Sequence, residues 1–271
     1  MSEFLPKNNP NCINDNKCPE TIDNILTYLQ QEQYCGCVYE SAKVSIGISI
    51  KKIPKYAFYG AKIKEVHLHH DICLIDEGAF AESNIKIDLQ ELANIKAIGK
   101  GAFYRSRCFI KSIIIPNSVT SIGESCFEDC YKLKSISIPN SVTSIGKSCF
   151  EGCYKLTSIS IPNTVRSIGE FCFTSCIQLK YISIPNSVTS IGKSCFQNCQ
   201  SFTSISIPDS VISIDYNCFS YCASLNTISI GNGLKYINKE MFISSITIEI
   251  SDDNPYFCKH EGILYDKNKT K

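Results

Sequence analysis

The 271-residue chain carries 27 Lys and Arg against 26 Asp and Glu, so it lacks the net field that draws nucleic acid or an anionic membrane surface. Hydrophobic residues at 44% and charged residues at 20% exclude a disordered chain, and no apolar run approaches the roughly 18 residues of a membrane-spanning helix. The 17 cysteines, about 6% of the chain and odd in number, are too sparse for a disulfide scaffold and fit a reducing compartment.

Residues 1–19 hold Pro6, Pro10 and Pro19 amid Asn and Lys, which predicts an irregular lead-in. The opening MSEFLPKNNPNC has neither the basic start nor the apolar run of an export signal, an expectation that favours the cytoplasm. Ile22, Ile25, Leu26 and Leu29 then fall at i, i+3, i+4 and i+7 behind Pro19, the spacing of a helix with one apolar face. With the lead-in, this helix would form a cap over residues 1–43. Cys12, Cys18, Cys35 and Cys37 fall in it at a C-x5-C-x16-C-x-C spacing that suits paired zinc knuckles poorly; zinc, two cap disulfides and ordinary thiols all stay open.

Residues 44–250 are one sentence written repeatedly. Its last residue recurs as Phe58, Phe80, Phe103, Phe127, Phe150, Phe173, Phe196, Phe219 and Phe242, with spacings of 22, 23, 24, 23, 23, 23, 23 and 23. Nine units at one period predict a solenoid, one elongated domain closed by two caps. The first three units, ending KKIPKYAF, CLIDEGAF and KAIGKGAF, are the least regular, and IKIDLQELANI contains an insertion that predicts a bulged or longer turn. From Ile110 to Gly231 the units are near copies in three parts. In Leu133, Ile136, Ile138 and Pro139, alternation of Ile with Ser predicts a half-buried strand that the proline ends. Val142 and Ile145 then point inward, and Gly146 is expected to permit a turn. Cys149, Phe150, Cys153 and Leu156 complete the unit on one face of a short helical turn. After Phe242, Ile246, Ile248 and Ile250 predict a last strand, and NPYF with GILYDKNK a turn and hairpin within a C-terminal cap over residues 251–271.

The unit Leu-x-x-Ile-x-Ile-Pro-x-Ser-Val-x-x-Ile-Gly-x-x-(Ala/Cys)-Phe-x-x-Cys, repeated over residues 44–250, resembles the BspA-type or treponemal-type leucine-rich repeat. Asn254, Pro255, Tyr256 and Phe257 with Gly262, Ile263, Leu264 and Tyr265 resemble that family's punctuation segment. The resemblance implies a β-rich repeat solenoid with short helical turns, a leucine-rich repeat horseshoe or right-handed superhelix of about nine 23-residue repeats. It also implies proteins of bacteria and single-celled eukaryotes, often at the cell surface and often binding host proteins or other cells. The chain departs from that picture in its missing export signal and in carrying a single glycosylation sequon, Asn268, Lys269 and Thr270.

Two cysteine columns run through the repeats, Cys126, Cys149, Cys172, Cys195 and Cys218 beside Cys130, Cys153, Cys176, Cys199 and Cys222. A zinc ion needs ligands converging on a point, not a line, and Ala57, Ala79 and Ala102 take the first column in early units, so buried thiols serving as packing are expected. Glu65 and His67 would share the exposed face of the first clear strand, a weak metal or acid–base pattern. Nothing resembles a phosphate loop, a nucleophile elbow or a paired catalytic carboxylate, so neither an enzyme nor a cofactor is expected. What remains is the strand-lined face. Ile114, Ser137, Ser160, Ser183, Ser206 and Ser229 form one outward column; Ser112, Ser135, Ser158, Tyr181, Ser204 and Thr227 form the next. Ile114, Tyr181 and Arg166 break otherwise monotonous columns, and these three with Ser137, Ser160, Ser183 and Ser206 are the candidate contacts. The sequence thus predicts a non-catalytic interaction scaffold for an unidentified protein or cell-surface partner. The alternatives are an intracellular regulatory subunit of a signalling enzyme such as a phosphatase, or a glycan-binding adhesin.

Overall fold

The Ser-Ile-Ser alternation does what its period requires. The structure, a computed structural model, describes residues 43–90, 92–106, 111–237, 246–260 and 263–267. The predicted cap helix, Cys12, Cys18, Cys35, Cys37, Phe242 and the sequon lie outside the described residues. Within them each 23-residue unit is one coil with a strand side, a corner side and a turn side.

The strand side consists of β1 (Lys43–Ser45), β3 (Glu65–His67), β5 (Lys86–Ile87), β7 (Ser112–Ile114), β9 (Ser135–Ser137), β10 (Ser158–Ser160), β12 (Tyr181–Ser183), β14 (Ser204–Ile207), β16 (Thr227–Ile230) and β17 (Thr247–Ile250), numbered in chain order. The corner side has two-residue strands: β2 (Lys52–Ile53), β4 (Leu74–Ile75), β6 (Ala97–Ile98), β8 (Ser121–Ile122), β11 (Ser167–Ile168), β13 (Ser190–Ile191) and β15 (Ser213–Ile214). All these pairings are parallel and hold corresponding positions of successive coils opposite each other, as in Ser158↔Ser135 and Ile159↔Ile136. At the C-terminal end β18 (Phe257–His260) and β19 (Ile263–Asp266) form an antiparallel pair.

Layering puts one phenylalanine of each coil on the next. Phe58 to Phe219 form a stack of eight rings with centroids 5.1 to 5.7 Å apart and interplanar angles of 0 to 9°. Phe150 and Phe173 touch at 5.5 Å. Around the stack Val142, Ile145, Cys149, Cys153 and Leu156 are buried, as are their counterparts in neighbouring coils. The insertion after Phe80 makes the longer turn its length predicts: Ile87 and Ile98 stand eleven residues apart, where Ile136 and Ile145 stand nine. Asp88 Oδ1 closes that turn by accepting from the Gln90 N–H at 2.9 Å.

Two local expectations change. The Lys-Ser-Cys-Phe-x-x-Cys segment buries the residues a helical turn would bury, but it is not a helix. Its backbone enters the left-handed region twice per coil, at Ser148 (φ 52°) and Gly152 (φ 69°) and at the matching positions of the other coils. The N–H groups therefore alternate. Those of Ser148, Phe150 and Gly152 reach Glu170, Cys172 and Thr174 of the next coil at 2.8, 2.9 and 2.8 Å, whereas those of Glu151 and Cys153 close the local turn at 3.2 and 3.1 Å. A continuing helix would turn its N–H groups back on its own carbonyls beyond the first turn instead of offering alternate ones to the next layer. The second change concerns the Ile-Gly corner, where Gly169 does not have positive φ. A Cβ there would lie 2.6 Å from the Gly146 carbonyl carbon, so the glycine is required by backbone stacking on backbone, not by a turn.

Candidate functional site

Because β7, β9, β10, β12 and β14 run into a proline and each inward Ile is fixed by the core, the outward residues stand in the columns the sequence predicts. Ser112 pairs with Ser135, Ser135 with Ser158 and Ser158 with Tyr181, while Ile114, Ser137, Ser160 and Ser183 form the parallel column. This four-strand sheet, order β12-β10-β9-β7, has Ile114 at one end, 48% exposed, and Tyr181 at the other, 65% exposed. Between them lie exposed serine hydroxyls, of which Ser135 Oγ donates to Ser112 Oγ at 3.0 Å. Arg166 does not join this group. It lies just before β11 on the corner side, held by its N–H on Thr143 O and its own carbonyl under Thr189 N, at 3.0 and 2.9 Å.

The strand side is interrupted next to Tyr181. β12 belongs to the sheet of β7, β9 and β10, β14 to the sheet of β16 and β17, and no ladder joins the two. On the turn side the same two coils remain bonded, Phe196 N to Cys218 O at 3.0 Å and Asn198 N to Ser220 O at 2.8 Å. Phe202 occupies the place held by Leu133, Leu156, Leu179 and Leu225 in the neighbouring coils, is fully buried, and tilts against Phe196 at 5.8 Å. Just before it Ser201 N still reaches Ile177 O at 3.1 Å, so the lapse is confined to the strands. A groove of about 530 Å³ lies over this stretch and includes Tyr181, Ser183, Ser206, Asp209 and Ser229 in its lining. Sequence reasoning singled out Tyr181, Ser183 and Ser206 but missed Phe202 and Asp209; departure of each from its own repeat column was the available signal.

The thiol columns are interior. In the second column Sγ of Cys130, Cys153, Cys176, Cys199 and Cys222 donates to the phenylalanine carbonyl of the preceding coil at 3.0 to 3.2 Å. Ser106 Oγ makes the equivalent bond to Phe80 O at 2.6 Å. Burial pushes these thiols up, Cys149 to about 12 and Cys222 to about 11, which removes the thiolate that nucleophilic or metal chemistry would use. Glu65 and His67 do share an exposed strand face, 3.7 Å apart, but Lys86 Nζ also contacts Glu65, at 3.1 Å. A second cleft, about 560 Å³ on the turn side, includes Glu82, Arg105 and Asp129; Arg105 Nε pairs with Asp129 at 3.1 Å and its Nη1 lies 3.9 Å from Glu82. Among the described residues no three His, Cys, Asp or Glu side chains gather as a metal site would need, and no helix is long and apolar enough to cross a membrane.

No curated protein matches the chain. Among solved structures, it is similar to a leucine-rich repeat protein from Bacteroides ovatus at 25% identity and a TM-score of 0.57, over 78% of this chain and 63% of that one. It is similar to the T. pallidum leucine-rich repeat protein at 32% identity over 46% of this chain and 61% of that one, with a TM-score of 0.45. A leucine-rich cell surface protein from Faecalibacterium prausnitzii aligns at 22% identity over 78% of this chain and 79% of that one, TM-score 0.45. The chain therefore spans under two thirds of the length of the first two. The family profile described as BspA type Leucine rich repeat region (6 copies) matches residues 27–156, 96–197 and 143–254. With coils stacked as that repeat demands and matches running through most of its length, the chain belongs to the BspA type leucine-rich repeat family.

Proposed function

We propose that the chain is a non-catalytic scaffold that binds a protein partner through its strand-lined face. The observation that carries this reading is the sheet of β7, β9, β10 and β12. Two exposed apolar residues, Ile114 and Tyr181, bracket rows of hydroxyls that carry no net charge and can both donate and accept. Apolar anchors around a hydrogen-bonding field are the composition of a recognition surface. Family membership supports the same reading, since a leucine-rich repeat solenoid offers a long face and no enclosed active site. The test is comparative capture from one lysate by the wild-type chain and by a Ser137→Arg, Ser160→Arg double variant, with thermal melting as the check on folding. Proteins retained by the first and lost by an equally stable second support the face; equal recovery by both removes it.

A further inference from the structure

Three departures from the repeat meet at one place. Phe202 stands where the neighbouring coils have Leu, Tyr181 where they have Ser or Thr, and Asp209 where they have Asn117, Asn140, Asn163, Asn186 and Asn232. The slot runs over β12, β14 and β16, where the ladder between the first two lapses; Tyr181 and Asp209 line it, and Phe202 lies in the core of the same coil as Asp209. We propose that this slot binds an arginine side chain of the protein partner, an inference that rests on the docking face proposed above.

Charge argues for a cation. Asp209 is the one charged residue in the lining, with no Lys, Arg or His beside it. A second carboxylate stands at the rim, since Ser229, itself a lining residue, donates to Glu249 Oε2 at 2.7 Å. Hydrogen-bond chemistry argues for guanidinium. Beside the Asp209 carboxylate the lining holds the hydroxyls of Ser183, Ser206 and Ser229, each able to accept. Guanidinium brings five donors and no acceptor, which suits such a lining, and its planar face stacks on an aromatic ring such as the exposed Tyr181. A neutral sugar would match the ring and hydroxyls but would bring no charge to offset the carboxylate. Asp209 is held ready, because its Oδ1 already accepts from Asn232 N at 2.6 Å.

The experiment is an amide chemical-shift titration of the full chain with three probes: acetyl-Gly-Arg-Gly-amide, its citrulline analogue and chitotetraose. The arginine peptide should give saturable shifts centred on Tyr181, Ser206 and Asp209, and citrulline, isosteric but uncharged, should bind about tenfold more weakly or worse. Asp209→Asn and Tyr181→Ser should each weaken the arginine peptide about tenfold. Both install the residue the repeat uses elsewhere, so unchanged shifts far from the slot will report an intact fold. Absence of saturation, equal binding of citrulline, indifference to Asp209→Asn, or preference for chitotetraose each overturns the proposal. If the peptide fails while capture still depends on Ser137 and Ser160, the arginine slot falls and the docking face stands. If the double variant captures as wild type does, the docking face falls independently of the peptide result.

Discussion

The strand side and the turn side of each coil solve the same stacking problem in opposite ways. On the strand side relaxed extended backbone pairs through ordinary ladders, yet the ladder is divided into three sheets. On the turn side the backbone is bent twice per coil into the left-handed region, at sixteen positions of which only four are glycine, yet the phenylalanine N–H bonds run unbroken from Phe58 to Phe196. Strain therefore sits where continuity sits. The turn side also carries the ring stack, the thiol-to-carbonyl bonds and a charge column that alternates Lys55, Glu77, Lys100, Glu124, Lys147, Glu170 and Lys193. Within that column Lys55–Glu77, Lys100–Glu124 and Lys147–Glu170 close at 2.9, 3.2 and 3.7 Å. The turn side fixes which coil lies on which. The strand side, relieved of that task, tolerates Tyr181, Phe202 and an open slot.

The sharpest way to break this division is to empty the stack. Phe150 is fully buried between Phe127 and Phe173, at 5.7 and 5.5 Å, so Phe150→Ala should lose about 3–5 kcal/mol in urea unfolding. Ser137→Ala on the strand side of the same region should stay within about 0.5 kcal/mol. Comparable losses at the two sites would show that stability is not concentrated as described. Next in size come the two thiol columns, which should respond in opposite order. Cys153 donates to Phe127 O at 3.2 Å, the bond Ser106 makes in an earlier coil, so Cys153→Ser should be milder than Cys153→Ala, which loses about 1–2 kcal/mol. Cys149 occupies the column that holds Ala57, Ala79 and Ala102, so there Ala should be the milder change and Ser, whose hydroxyl costs more to bury than a thiol, the costlier. Melting of the four variants checks both orders.

These contrasts also mark what the sequence could show. The inward set of each unit, the outward columns and the ring stack were legible because side-chain alternation and a 23-residue period are written in the residues themselves. The left-handed positions were not. Ser125, Phe171 and Ser194 occupy them against their own preference, held by bonds to the next coil that no local pattern records. The corner strands escaped notice because Ser-Ile is too short to display alternation, and the corner glycine was assigned a turn when its reason lies in the coil beneath. At the candidate site Tyr181 stood out as a column-breaker, but Phe202 reads as an ordinary core residue until its tilt against Phe196 is seen.

A smaller effect follows from the carboxylates of the turn side. Burial raises the Glu128 carboxyl from 4.5 to about 7; a hydrogen bond from Ser125 opposes it, Glu151 and Asp129 add to it, and Arg105 opposes it again. Between pH 4.5 and about 7 the folded chain therefore holds a proton that the unfolded chain has released. This contribution is present in full below that window and is lost as pH rises through it. Glu128→Gln should flatten the decline and, with Glu128 only half-buried, stabilise the chain at pH 8 by about 1 kcal/mol. The readout is the difference between variant and wild-type melting from pH 4 to 8, and a constant difference would reject the assignment.

The finest test puts one substitution on both sides. Tyr221 sits at φ 61° with its side chain 63% exposed, so Tyr221→Gly relieves a left-handed backbone while giving up little burial. Relief of about 1–2 kcal/mol is offset by the roughly 0.4–1 kcal/mol that glycine's greater freedom adds to the unfolded chain, for a net gain of about 0.5 kcal/mol. Ser137 lies in β9 with extended backbone and nothing to relieve, so Ser137→Gly should lose about 0.5–1 kcal/mol. Urea midpoints of the two variants should move in opposite directions. Movement of both downward would mean that the turn backbone prefers its left-handed geometry whatever residue it carries, and that the strain on the turn side is smaller than its torsion angles imply.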